Sequence, residues 1–228
     1  MAVLVLSHAP AAHALMFDPT DAEWLTWPGY CKARSHEETD PRVRPADRAK
    51  WKASFTEAAW KPLHHYCAGI VKVVRAMREK QAERRVYFVK DAIKEYDYWL
   101  ERVPPDDPFF ATVLTAKAEG LLKLGKHEAA EKMLKSAIAR TPDNTRPYLM
   151  LSLVYQDEKR LEDAREILLR ANQAAKEKSA EVWYFLGLVN LKLRDYPAAE
   201  SAAQSAYALG YPLQGLKRKL KAQGYFKN

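Results

Sequence analysis

The sequence predicts an all-α protein built as a solenoid of stacked helical hairpins, and two observations predict it. Small residues stand at Ala118, Ala130 and Ala137 and again, 34 residues on, at Ser152, Ala164 and Ala171. A third set, Gly187, Ala199 and Ala206, follows at an offset of 35. Larger apolar residues keep the same register: Leu114, Tyr148 and Trp183; Leu121 and Tyr155; Leu134 and Leu168. Self-similarity at this period marks stacked two-helix units. Antiparallel helices approach closely only where neither carries bulk, so the small residues mark the crossings. The larger residues fill the space between hairpins, none of which can bury its own apolar face alone. An irregular bundle can supply alanines at helical spacing, but it does not repeat them in phase three times.

The best-kept stretches are Trp183-Tyr184-Phe185-Leu186-Gly187, Tyr148-Leu149-Met150-Leu151-Ser152-Leu153-Val154-Tyr155 and Ala137-Ile138-Ala139-Arg140-Thr141-Pro142. A large residue, Leu-Gly or Leu-Ser, Tyr, three alanine-like positions and Pro resemble the tetratricopeptide repeat family over a little under half of the chain. The resemblance implies a TPR-like α-solenoid with repeats at 111–144, 145–179 and 180–212. It also implies an inner wall made by the first helix of each hairpin, where extended ligands lie. In the family's register that wall carries Thr112, Thr115, Glu119 and Leu122, then Arg146, Leu149, Leu153 and Gln156, then Glu181, Tyr184, Leu188 and Leu191. Family members that grip a C-terminal carboxylate use lysine, asparagine and arginine in the groove. This chain has Thr115, Glu119, Met150, Glu181 and Phe185 there, so a chaperone-tail clamp is not expected. An apolar groove with polar edges suits a peptide or helix that contributes leucine-like anchors.

Ahead of the repeats, residues 1–14 form a candidate signal segment. Ala2 to Phe17 carry no formal charge, and Ala12-His13-Ala14 offers a small-residue cleavage site with a mature start near Leu15. No lysine or arginine follows Met1, so either the true start lies upstream or the segment is not a signal. Residues 15–60 read as an irregular, aromatic-rich arm with four of the six tryptophans, Trp24, Trp27, Trp51 and Trp60. Within it we expect a short structured segment at 21–30, an exposed loop at 33–45 and a helix over 46–59. Such an arm packs over a larger body, and either lies in the groove as an internal ligand or offers a binding surface of its own.

Cys31 and Cys67 are the only cysteines. In an exported protein an even count suggests a disulfide, worth roughly 3–4 kcal/mol for a loop of this length in the chain-entropy view; two buried thiols are the alternative. Residues 61–110 read as a diverged hairpin. Its first helix starts at Pro62 and runs to about Glu79, with Tyr66, Gly69, Ile70, Val73 and Val74 along one face. The second spans 81–102 and is expected to bury Val86, Val89, Ile93, Tyr96 and Leu100 before Pro104-Pro105 stops it. Residues 213–228 supply a basic capping helix with Leu216 and Leu220 inward.

The net charge of +8 is spread out, with denser basic runs at 42–52, 75–85 and 217–221. None is interleaved with aromatics as in a nucleic-acid module, so nucleic acid is not the expected partner. There is no H-E-x-x-H, no G-x-S-x-G and no phosphate-cradling glycine loop. His64-His65-Tyr66-Cys67 invites a metal reading, but adjacent histidines point apart on a helix and zinc needs about four ligands. No metal and no cofactor are expected. The reading is a non-enzymatic adaptor of a bacterial envelope complex, periplasmic, holding a peptide or helix of a protein partner. The alternative is a cytoplasmic or membrane-peripheral regulator whose basic runs touch anionic lipid or nucleic acid.

Overall fold

The computed structural model describes residues 19–226, so the candidate signal segment at 1–14 lies outside the described residues. Those residues are helical with no strand, and they divide into two compact units, one ending at Ser54 and the other beginning at Phe55.

The first unit holds α1 (Asp21–Thr26), α2 (Gly29–Arg34), a 3-10 turn at Ser35–Glu38 and α3 (Pro45–Lys52). Thr20 and Glu23 cap α1 reciprocally: the Glu23 N–H donates to Thr20 Oγ1 at 3.3 Å and the Thr20 N–H to Glu23 Oε2 at 2.9 Å. The loop expected to be exposed at 33–45 is instead organised around a buried carboxylate. Asp40 is 2% exposed, and Arg42 grips it with Nε at 3.1 Å and Nη2 at 2.8 Å. Ser35 Oγ also reaches its carboxylate, at 3.4 Å, and Arg48 Nη2 donates to its carbonyl at 2.9 Å. The hydrogen-bonded Arg42 guanidinium holds the Asp40 carboxyl below the usual aspartate range. Arg42 lies 3.7 Å from the centroid of the Trp24 ring. The helix expected over 46–59 is two: α3 ends at Lys52, and α4 (Glu57–Trp60) starts afresh from a Thr56 cap in the second unit.

The second unit is a succession of antiparallel hairpins. α5 (Leu63–Arg78) pairs with α6 (Ala82–Leu100), α7 (Phe110–Lys123) with α8 (His127–Arg140), α9 (Thr145–Asp157) with α10 (Leu161–Ala174), and α11 (Ala180–Lys192) with α12 (Tyr196–Ala208). Each hairpin packs on the next, and α13 (Gly215–Ala222) closes the array against α11 and α12. The crossings fall where the small residues recur: Ala118, Ala130, Ala137, Ser152, Ala164, Ala171, Ala199 and Ala206 are all fully buried. A Cβ on Gly187 would lie 2.4 Å from Leu216 Cδ2, and one on Gly69 2.3 Å from the Tyr96 ring. Both glycines therefore mark close approaches.

The repeat extends to loop chemistry. Tyr148 OH donates to the Pro142 carbonyl at 3.1 Å, and Trp183 Nε1 to the Glu177 carbonyl at 3.0 Å, each reaching back six residues. The aromatic that opens α9 and α11 thus ties down the preceding loop. The turns after α7, α9 and α11 each pass through one residue of positive φ: Gly125 at 69°, Lys159 at 64° and Arg194 at 63°. The following N–H donates to the carbonyl five residues back, at 2.9, 2.8 and 3.0 Å. That closure satisfies carbonyls left over at the helix end.

Two expectations for the first hairpin change. Ile70, Val73 and Val74 are half-buried, not core. On α6, Val86 is 39% exposed, while Trp99, which the apolar pattern passed over, is fully buried and donates to the Ala59 carbonyl at 3.1 Å. The expected inward leucines of the cap, Leu216 and Leu220, are fully buried. Neither cysteine is free: Cys31 and Cys67 are disulfide-bonded.

Candidate partner-binding groove

The inner-wall residues come from α7, α9 and α11 at fixed offsets from the small residue of each helix. Three positions before it stand Thr115, Leu149 and Tyr184; one after, Glu119, Leu153 and Leu188; four after, Leu122, Gln156 and Leu191. The structure sorts these rows by depth. The first is buried: Thr115 is 5% exposed, Leu149 1% and Tyr184 8%. Leu149 belongs to the core between hairpins and offers a ligand nothing, which corrects its place in the expected groove. Tyr184 stacks on Tyr211 with centroids 4.2 Å apart. The second and third rows supply the accessible surface, because Glu119, Leu122, Leu153, Leu188 and Leu191 are half-buried; Gln156 of the third row is buried, at 8%, which corrects its place in the expected groove.

Polar links cross this wall from one hairpin to the next. Arg146 Nη2 donates to Glu119 Oε2 at 3.2 Å, joining α9 to α7. Lys192 Nζ donates to Gln156 Oε1 at 2.7 Å, joining α11 to α9. Thr115 turns its hydroxyl onto the Ala111 carbonyl at 2.7 Å.

At the amino-terminal end of the unit the wall deepens into a cleft of about 280 Å³. Tyr66, Ile70, Val73 and Val74 form its apolar side, and Thr115, Glu119 and Arg146 lie opposite. Of the expected groove residues, the structure brings Thr112, Thr115, Glu119 and Arg146 together here; Leu122, Leu153, Gln156, Leu188 and Leu191 are not among its lining. Sequence reasoning missed the apolar side. The signal was present, because the same offsets counted from Gly69 select Tyr66, Ile70 and Val73.

Behind this side sits a charged cluster between α5 and α6. Lys72 Nζ donates to Asp91 Oδ2 at 2.7 Å and to Glu95 Oε1 at 2.6 Å, and His65 Nδ1 lies 2.5 Å from Glu95 Oε2. Burial works against the Lys72 ammonium, but its hydrogen bonds to the two carboxylates outweigh it and raise the pKa. Burial likewise opposes the Glu95 anion, yet the bonds from His65 and Lys72 leave its pKa lowered. The His64 to Cys67 stretch is thus occupied by this network and by the disulfide. No group of three or more His, Cys, Asp or Glu is placed to hold a metal among the described residues.

The tetratricopeptide repeat family profile matches residues 121–189. No curated protein matches the chain. Among solved structures, MamA of Desulfovibrio magneticus RS-1 is 20% identical with a TM-score of 0.51, over 72% of this chain and 80% of that one. YrrB, described as a TPR protein with an unusual peptide-binding site, is 18% identical with a TM-score of 0.52, over 79% of this chain and 80% of that one. TTC0263, a thermophilic TPR protein of Thermus thermophilus, is 16% identical with a TM-score of 0.51, over 72% of this chain and 92% of that one. At these identities the likeness is one of fold. With the in-phase helices, the profile match identifies residues 121–189 as tetratricopeptide repeats, and the array around them shares the fold of the TPR proteins above.

Proposed function

We propose that this protein is a non-enzymatic adaptor that holds an extended or helical segment of a partner protein along the wall made by α5, α7, α9 and α11. The observation that carries this reading is the 280 Å³ cleft with an apolar side and the Glu119–Arg146 pair at its edge. Half-buried Leu122, Leu153, Leu188 and Leu191 continue it. Apolar anchors spaced along a groove with a few fixed polar groups are how helices and strands of partners are recognised. YrrB, which shares this fold, is described as having a peptide-binding site, and that supports the assignment without specifying the ligand.

We place the adaptor in a bacterial envelope complex, in the periplasm, on the apolar run Ala2 to Leu6 with its A-x-A close and on the oxidised cysteines, since disulfides persist in oxidising compartments. Mass spectrometry of the protein from its native host tests this. A chain starting near Leu15 supports export, whereas an intact Met1 with reduced thiols removes it. For the groove, Leu153→Glu and Leu188→Glu each abolish partner capture in a pull-down and leave helix content unchanged by circular dichroism. Capture undiminished in both variants moves the binding surface elsewhere.

A further inference from the structure

The first hairpin carries a second surface, away from the groove, at its turn. From Arg75 to Phe88 the chain has five basic residues and two acidic ones. Three large apolar side chains stand out in the same stretch: Met77 at 61% exposure, Tyr87 at 61% and Val86 at 39%. Residues 81–87 are all exposed. The turn of the next hairpin, at 123–126, adds Lys123, half-buried Leu124 and Lys126. The two turns share a cleft of about 220 Å³ in which Met77, Val86, Val89 and Leu124 supply apolar walls and Arg85 and Lys123 stand among them.

Charge decides what this surface fits. Glu79 is spent locally, its carboxylate accepting the Gln81 N–H at 3.0 Å and lying 3.3 Å from Arg84. Lys123 has Glu119 at 3.8 Å, and His127 near this edge faces Asp157 and Glu158, each at 3.9 Å. Glu83 is exposed, leaving Arg78, Lys80, Arg85 and Lys126 as exposed cations around the apolar tips. Protruding methionine, valine and tyrosine ringed by arginine and lysine match the interface of an anionic bilayer. Basic groups gain from the surface potential, apolar tips enter the acyl boundary, and tyrosine sits at headgroup depth. A nucleic acid would use the cations but leave Met77 and Val86 in water.

We propose that the α5–α6 turn, with the 123–126 turn beside it, docks the protein on an anionic lipid surface. No helix among the described residues is long and apolar enough to cross a membrane, so this is attachment at the interface. Co-sedimentation of the full chain tests it, with vesicles of phosphatidylglycerol in phosphatidylcholine against phosphatidylcholine alone. The protein binds the first and not the second. Met77→Ser with Tyr87→Ser, and separately Arg78→Glu, Lys80→Glu and Arg85→Glu together, each weaken binding at least about tenfold with helix content unchanged. Reversing Arg218 and Lys219 on α13 changes it less than about twofold. The proposal fails if phosphatidylglycerol vesicles are not bound, or if the α13 reversal costs as much as the tip reversal, since net charge would then explain everything. It also fails if the serine pair binds as the native chain does; competition by a single-stranded oligonucleotide would then identify a polyanion surface.

Discussion

Lys159 and Arg194 occupy a left-handed backbone conformation that Gly125 enters at the equivalent turn without strain. For a residue with a Cβ that conformation costs about 1–2 kcal/mol, and part of it is regained on substitution by glycine despite the entropy glycine loses on folding. Lys159 is exposed. Lys159→Gly therefore raises stability by about 0.5–1 kcal/mol and the thermal midpoint by about 1–4 °C. An unchanged or lowered midpoint in differential scanning calorimetry would remove the strain argument. Glu95 gives the opposite kind of prediction. Its side chain is 18% exposed and Lys72's is 11%, so losing the carboxylate leaves a largely buried cation with Asp91 but without its second anion, and takes the anion from His65 as well. Glu95→Gln costs about 2–3 kcal/mol at neutral pH, somewhat less than a fully buried pair. The pKa is lowered in the folded state, so the contribution is present above the usual glutamate value of about 4.3 and disappears as pH falls through the folded value. Urea titrations at pH 7 and at pH 3 show the gap between native and variant chains closing at the lower pH; a constant gap refutes the assignment. This cluster was not legible in the sequence. Lys72 falls on the side of α5 that a hydropathy pattern assigns to water, and only the approach of α6 supplies its two carboxylates.

Element length explains where the apolar pattern misled. The stripe Val86, Val89, Ile93, Tyr96 and Leu100 is real, but α6 has 19 residues against 14 in α7, and at its start Val86 lines a surface cleft rather than a packed interface. Val86 is therefore wet, while at the other end Trp99 is buried. A sequence shows the periodicity of a helix but not how far its neighbour reaches. The same limit applies to 33–45, where turn-forming residues read as exposed and one bidentate Arg42–Asp40 contact folds the stretch around a buried carboxylate. α13 was legible for the converse reason: Leu216 and Leu220 lie one turn apart among lysines, and only one face can be inward. Its job is to cover Tyr184, Ala199, Ala203 and Ala206. Leu220→Asp places a charge in that interface, costs about 3 kcal/mol or more and exposes the alanine face. Raised binding of a hydrophobic dye and self-association on gel filtration check it; a monomeric variant with native stability means α13 is not a cap.

Across the second unit each hairpin touches its neighbours, which makes stability a sum of local terms rather than one shared core. Buried apolar residues nevertheless form distinct groups: one runs from Ala118 through Leu151 and Leu168 to Ala202, and a smaller one gathers Tyr184, Ala199 and Ala206 under α13. A solenoid of this kind opens from its ends, because an end hairpin has one interface to lose and an inner hairpin has two. Hydrogen exchange followed by mass spectrometry should therefore show graded protection, greatest in α9 and α10, lower in α11 and α12 and lowest in α13. Leu168 is fully buried in the larger group, and Leu168→Ala, at about 3 kcal/mol, lowers protection most in α9, α10 and the helices packed on them. The smaller group, which meets the larger on α11 and α12 and includes no residue of α9 or α10, changes less. If every helix exchanges at one rate and Leu168→Ala lowers all of them equally, the unit opens as a single cooperative body. The groove would then be a fixed wall, whereas graded opening lets its carboxyl-terminal part, with Leu188 and Leu191, adjust to a partner while the stretch on α7 and α9, with Glu119, Arg146 and Leu153, stays formed.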